Sequence, residues 1–219
     1  MSAETLMIFA KAPEPGRVKT RLGLPPDHAA ALHAAFVRDV IDRHRRPHRQ
    51  TTVWRAGDLA HPFWPTLGVT LAVQDAGGLG ARMAAAFARE LADDARVVVV
   101  GTDSPSLPPR LVDAAFAALT RCPLVIGPAC DGGYYLLGMR GVVAPVFPDD
   151  MPWGTDEVLP RTLAAARDAG LDYHLLDFWY DVDRPADLAL LRDHLHALAA
   201  AGEPLPTASC AVCERLSLW

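Results

Sequence analysis

Much is missing from this chain, and each absence narrows what it can be. No apolar run approaches the length needed to span a bilayer. No basic segment precedes the first apolar run, so a secretory leader is not expected there. The formal charge is −5, with no broad excess of Lys and Arg, which argues against a general nucleic-acid binder. Four cysteines among 219 residues give no disulfide framework and fit a reduced, cytoplasmic setting. The eight histidines show no metal-ligand spacing, and His44/His48 is interrupted by Pro47. A G-x-S-x-G nucleophile elbow is absent. So is a Walker A loop, because Gly16 is separated from Lys19-Thr20 by Arg17-Val18. Internal repeats and low-complexity segments are lacking too.

What remains is an alternation of short apolar runs and amphipathic stretches. Leu6–Ala10 reads as a strand covered on both faces. Asp27 is expected to cap a helix carrying Leu32, Phe36, Val37, Val40 and Ile41 on one side. That helix should end in the run Arg43-His-Arg-Arg-Pro-His-Arg49, whose cations complement the backbone dipole. Thr51–Trp54 and Val69–Val73 look like strands. A helix follows with Leu79, Met83, Phe87 and Leu91 at helical spacing. Val97–Val100 is β-branched throughout and suits the centre of a sheet. Pro109 opens a helix, Leu124–Ile126 is a strand, and Asp131–Gly138 turns into another, antiparallel because no helix intervenes. Thr155 is expected to cap a further helix, Tyr173–Leu176 is a late strand, and Pro185 opens a closing helix with Leu188, Leu191, Leu195 and Leu198. The pattern predicts an α/β fold with a mainly parallel sheet and helices on both faces. Residues 202–219, with Cys210 and Cys213, read as an appended tail; one C-x-x-C is at most half a zinc site.

Two features carry chemistry. The loop after the first strand, Lys11-Ala-Pro-Glu-Pro-Gly-Arg-Val-Lys-Thr-Arg21, concentrates Lys11, Arg17, Lys19 and Arg21 where open α/β folds place their ligands. An anionic ligand, the phosphates of a nucleotide, is the economical partner; a solvated surface turn is the bland alternative. Second, Asp103 leaves the central strand, while Asp181 and Asp183 precede the last helix. Each has a sober role: Asp103 closing an Asx turn before Pro105, Asp183 capping the helix. If two of them instead meet about 4 Å apart, they repel by roughly 4 kcal/mol at an effective dielectric near 20. A hard divalent cation, Mg²⁺ or Mn²⁺, would remove that cost. Gly77 and Gly78 either serve a tight turn or allow close backbone approach to a ligand.

The segments Phe9–Leu22, Gly101-Thr-Asp-Ser-Pro105, Gly127-Pro128 with Asp131-Gly-Gly-Tyr134, and Asp181-Val-Asp183 with Pro185 and Asp187-Leu188 together resemble the DUF2064 family. This group is also called rSAM/selenodomain-associated transferase 1, within the nucleotide-diphospho-sugar transferase (GT-A) superfamily. The resemblance spans about residues 5 to 192 and implies one GT-A domain over 1–201, leaving 202–219 outside. More distantly, Lys19-Thr-Arg-Leu22 and the Asp-x-Asp-x-Pro element are similar to guanylyltransferases that activate phospholactate or phosphoenolpyruvate. That similarity implies Lys11, Gly16, Lys19 and Arg21 around a triphosphate, and metal on Asp103 and Asp183, with Asp181 as substitute. Gln74, Gly77 and Gly80 resemble a base-reading turn of sugar-phosphate uridylyltransferases, with the spacing offset by one residue. Asp131 to Tyr134 would face the acceptor.

Three functions follow as expectations. The first is nucleotidyl transfer from an NTP to a small phosphorylated or phosphonate acceptor, with Lys19 and Arg21 on the departing pyrophosphate. Another is glycosyl transfer from a nucleotide sugar, with Asp131 or another acid as base. The third is a nucleotide-binding module without turnover.

Overall fold

A computed structural model describes residues 3–92, 94–141 and 143–219. The elements run β1 (Glu4–Lys11), α1 (Pro26–His44), β2 (Gln50–Ala56), β3 (Thr70–Val73), α2 (Leu79–Glu90), β4 (Arg96–Val100), α3 (Pro109–Ala118), β5 (Leu124–Pro128), β6 (Tyr134–Arg140), α4 (Val158–Asp168), β7 (Tyr173–Leu175), α5 (Pro185–Ala200) and α6 (Thr207–Arg215), with a single 3₁₀ turn at Trp64–Leu67. The strands form one sheet in the order β3-β2-β1-β4-β6-β5-β7. β1, β2, β3 and β4 are mutually parallel, as are β5 and β7, whereas β6 runs antiparallel between β4 and β5. The chain leaves β1 toward one edge and returns to β4 on the other side. That reversal is a topological switch point, and it opens a crevice at the strands' carboxyl ends. Among the described residues, no helix is long and apolar enough to cross a membrane.

Period-two alternation explains the layers. On β1, Leu6, Ile8 and Ala10 face a core shared with Val37, Val40 and Ile41 of α1 and Leu111, Val112 and Phe116 of α3. Met7 points the opposite way, into a core with Met83, Ala86 and Phe87 of α2 and Ala166 of α4. Burying side chains on both faces is what makes these strands read as continuous apolar runs. Gly138 on β6 permits close packing, since a Cβ there would meet Leu119 and Val98 at 3.2 Å.

Three details depart from expectation. Asp27 does not cap α1: the helix already includes it in the first turn, with Pro25 in the cap position and Pro26 starting the helix. Thr155 does not cap α4, which begins at Val158; its hydroxyl instead closes a preceding turn, accepting from Glu157 N at 3.3 Å. The segment 202–219 is no loose tail. Its helix α6 docks on the outer side of α1, and Cys213 is buried in a third core with Leu32 and Phe36 of α1 and Leu188, Leu191 and Leu195 of α5. Burial pushes the Cys213 thiol up to about 12, so it behaves as a packing group.

The dock is polar at one point. Asp39 on α1 is buried, and its carboxylate accepts from Ala208 N at 2.9 Å, from Ser209 N at 2.7 Å and from the Ser209 hydroxyl. It satisfies the open N-terminus of α6 from another helix. Asp39→Ala should leave those donors buried without partners and cost about 2–3 kcal/mol. Chemical denaturation, with hydrogen exchange at α6 as the local readout, checks this; unchanged stability would contradict it.

His44 is fully buried, and neither ring nitrogen has a partner among the described residues. Burial, then the Arg43 charge, depresses its pKa to about 3. Because the folded value lies below the unfolded one near 6.5, its neutral form stabilises the fold above that pH. Stability is lost as pH falls and the unfolded chain takes the proton first. Between about pH 8 and about pH 5 the loss should be ~2 kcal/mol. A His44→Leu variant should have a flatter stability curve over that window, measured by denaturation at each pH.

Candidate functional site

The loop following β1 bends back over the sheet's carboxyl edge and ends in a left-handed residue, Lys19 (φ 49). That conformation turns the Lys19 side chain inward, where it is only 2% exposed. Its ammonium lies 5.1 Å from the centre of the Phe36 ring and meets three acceptors. They are the Asp103 carboxylate, the Asp183 carboxylate at 3.0 Å and the Val182 carbonyl at 2.8 Å. A lysine has three N–H donors, so all are committed. The two carboxylates stay 46% exposed on their other side.

Each partner is held from behind. Val182 N donates to Asp103 O at 2.8 Å, pinning the segment before α5 to the end of β4. Asp183 is not the helix cap. Arg184 holds that position, and Asp187 in the first turn reaches back as in a capping box, its carboxylate accepting from Asp183 N at 3.0 Å and Arg184 N at 2.8 Å, while the Asp183 carboxylate faces Lys19. Burial opposes charge on Lys19, but Asp103 and then Asp183 outweigh it and hold its pKa above the usual value. Burial likewise works against Asp103, yet the Lys19 ammonium keeps that carboxyl below the ordinary range.

Around this triad lies a cavity of about 660 Å³. Its lining includes Lys11, Arg17, Lys19 and Arg21 of the loop, Gln74, Gly77 and Arg82, and Asp103, Asp183 and Tyr134. Lys11 and Arg21 are exposed, and neither has a carboxylate within ion-pairing distance among the described residues; Arg17 pairs only with Glu14, at 3.6 Å. Gln74 lines the cavity while its amide donates to Trp54 O at 2.8 Å. Gly77 has φ 110, a conformation that favours glycine, and sits just before the N-terminus of α2.

The other expected residues lie off the cavity. Gly16 is an exposed turn glycine with φ 76. Gly80 is buried under Trp153, where a Cβ would come within 2.8 Å of the indole, so packing alone accounts for it. Asp131 is exposed and accepts from Gly133 N at 2.9 Å within its own turn. Asp181 is not among the lining residues and accepts from the Ser104 hydroxyl at 2.5 Å. Burial, then the Asp103 charge, pushes its pKa up to about 7. One lining residue was not anticipated. His33 of α1 is buried against the cavity, with Nε2 3.1 Å from Lys11 O and Nδ1 without a partner among the described residues. Its spacing from Phe36 and Val37 on the buried face of α1 was the available signal.

Could these residues hold a divalent cation? Among the described residues, no group of three or more His, Cys, Asp or Glu could hold one. Asp103 and Asp183 alone fit the Mg²⁺ habit of binding through one or two carboxylates, with waters and substrate phosphates completing the shell. Lys19 occupies the space between them as a charge stand-in.

The switch-point crevice, lined by loop cations and a carboxylate pair, belongs to the nucleotide-diphospho-sugar transferase (GT-A) fold class. A crystal structure from Desulfovibrio desulfuricans G20, provisionally classed as a nucleotide-diphospho-sugar transferase, is 38% identical to this chain. The match has a TM-score of 0.80 and covers 89% of this chain and 88% of the other. CMP:2-keto-3-deoxy-manno-octonic acid synthetase complexed with CTP matches at TM-score 0.55 and 13% identity, over 90% and 99% of the two chains. Glucosyl-3-phosphoglycerate synthase from Mycobacterium tuberculosis, in complex with Mn²⁺, UDP and glucosyl-3-phosphoglycerate, matches at 0.56 and 14%, over 93% and 81%. At such identities these two bear on the fold only. No curated protein matches the chain. The family model described as "Uncharacterized protein conserved in bacteria (DUF2064)" matches residues 40–155, and the chain belongs to that family.

Removing the Lys19 charge tests the triad. Lys19→Met should cost about 1–2 kcal/mol at neutral pH, a modest figure because both carboxylates are half open to solvent. The Lys19 charge holds the Asp103 carboxyl below its ordinary range, so its stabilisation is lost, and the deficit should narrow, as pH falls through the folded-state value. Urea denaturation at neutral and acid pH is the measurement, and a deficit that grows in acid would refute the assignment.

Proposed function

We propose that this chain is a nucleotide-dependent transferase that moves a nucleotidyl group from an NTP to a small phosphorylated or phosphonate acceptor. The observation that carries the reading is the pairing of unneutralised cations, Lys11 and Arg21, with the Lys19-tethered carboxylates across one cavity. An acceptor oxygen attacks the α-phosphorus in line, the bond from that phosphorus to the bridging β-oxygen breaks, and pyrophosphate leaves. Lys11, Arg17 and Arg21 lie along the wall suited to the β- and γ-phosphates, where negative charge accumulates as the leaving group departs. Asp103 and Asp183 are the residues that would hold Mg²⁺ or Mn²⁺, which would neutralise charge on the transferring group. Lys19 acts here as the post that positions both carboxylates, because its three donors are already engaged. Gln74 and the Gly77 turn flank the side left for the base and sugar.

Glycosyl transfer keeps the same cation and carboxylate walls but needs a base near the acceptor. Asp131 faces its own turn rather than the cavity, which favours the nucleotidyl reading.

Given each NTP, Mg²⁺ and a pool of phosphorylated acceptors, the protein should release pyrophosphate. Asp103→Asn should abolish that release with the fold intact, and Arg21→Ala should lower the rate by about 10²–10³. NDP release from a nucleotide sugar without pyrophosphate from any NTP would establish the glycosyl route instead. Binding without turnover in both assays would leave a nucleotide-binding module.

A further inference from the structure

A second hollow lies at the opposite end of the sheet, below the amino ends of β2 and β3. It is lined by Arg45, Arg46, Arg49, Thr51 and Trp64, among others. β2 is seven residues long, so at about 3.3 Å per residue the hollow sits some 20 Å from the transferase cavity. Ending a helix with cations explains why α1 carries this run. It does not explain how the charges are spent. Arg46 and Arg49 both draw on Asp113, at 3.0 and 3.1 Å. Arg49 and Arg96 both draw on Glu4, at 3.2 and 3.3 Å, and His48 approaches the same carboxylate at 3.6 Å. Arg45 is exposed and pairs with no carboxylate among the described residues; it donates to the Gly68 carbonyl at 3.2 Å. Three guanidinium groups therefore share two carboxylates and a fourth, that of Arg45, pairs with neither, a local excess of positive charge on a chain whose net charge is −5.

Two buried polar atoms among the lining residues point the same way. The Arg49 side chain is 2% exposed, and its Nη1 has no hydrogen-bond partner among the described residues. The Thr51 hydroxyl, also buried, has none either. Buried donors without acceptors are rare in folded proteins and call for an explanation. An oxyanion answers both facts: it accepts from the donors and balances the charge.

We propose that this hollow is a second anion site, taking a tetrahedral oxyanion of the phosphate class on Arg45, Arg49 and Thr51, separate from the transferase cavity. Arg46 adds to the field, while Trp64 and the 3₁₀ turn wall off one side. Free phosphate and the phosphate end of a larger ester share this recognition chemistry.

Titration of the ¹⁵N-labelled full chain with inorganic phosphate, and separately with a simple phosphate monoester, is the test. Saturable shifts are expected at the amides of Arg49, Thr51, Gly68 and Thr70, whatever happens at Lys11 and Gly77 in the other cavity. Response to free phosphate but not to the ester would identify inorganic phosphate as the occupant; response to both would admit esters. Arg45→Gln, at an exposed position, and the isosteric Thr51→Val should each weaken the saturable response about tenfold or more, the scale of one lost charge-assisted hydrogen bond. Shifts at Lys11 and Gly77 should be unaltered in both variants. Absence of saturable shifts at the hollow, or equal affinity in wild type and both variants, would overturn the proposal and leave the buried donors to water.

Discussion

One ammonium group, that of Lys19, joins three stretches of chain far apart in sequence: the loop after β1, the end of β4 and the segment before α5. Without it, Asp103 and Asp183 would face one another as bare carboxylates at a sheet edge. Burial would push Asp103 toward the protonated state. With it, Asp103 stays ionised and the pair is held in place. The value of the contact is more positional than energetic, since solvent reaches both acids and screens the attraction. A cation supplied by the chain balances one of two negative charges, and what remains is a site of net charge −1 beside a wall of exposed cations.

The sheet makes that arrangement possible. β1 and β4 are parallel neighbours, but the chain leaves β1 toward β2 on one side and leaves β4 toward β5 on the other, so the loops at their carboxyl ends diverge and leave room between them. The two apolar layers then fix the strand ends to a common level. Leu6, Ile8 and Ala10 anchor one face, Met7 the other, and no slip by one residue could preserve both. The antiparallel β6 places Tyr134 at the same edge, opposite the loop cations.

Periodicity was enough to locate β1, β4, α2, α3 and α5, because each depends on local spacing of apolar residues. It was also enough to bring Lys19, Asp103 and Asp183 to one edge, because strand ends and helix starts are set by the same pattern. Caps were less legible. Asp27 and Thr155 have the right chemistry for helix starts, but Pro26 and a preceding turn decide where those helices begin. The identity of the Lys19 partners lay beyond local reading: a lysine beside arginines looks like a phosphate ligand until the fold places two carboxylates within reach. Gly80 and Asp131 are similar cases, since close packing under Trp153 and a local turn demand the same residue types that a ligand would. The docking of α6 was invisible because its determinant, Asp39, lies on another helix some 170 residues away.

Lys19 also carries a hidden cost. A residue with a β-carbon at φ 49 sits in backbone territory less favourable than the ordinary right-handed well by about 1 kcal/mol or more. Only the grip on its side chain keeps it there. Whatever draws Asp103 and Asp183 away from that grip, whether an incoming dication or protonation, frees the main chain to unwind toward a relaxed geometry. Arg17 and Arg21, two residues to either side, must then shift as well. The cation-bearing loop and the carboxylates that grip it are thus mechanically geared to each other.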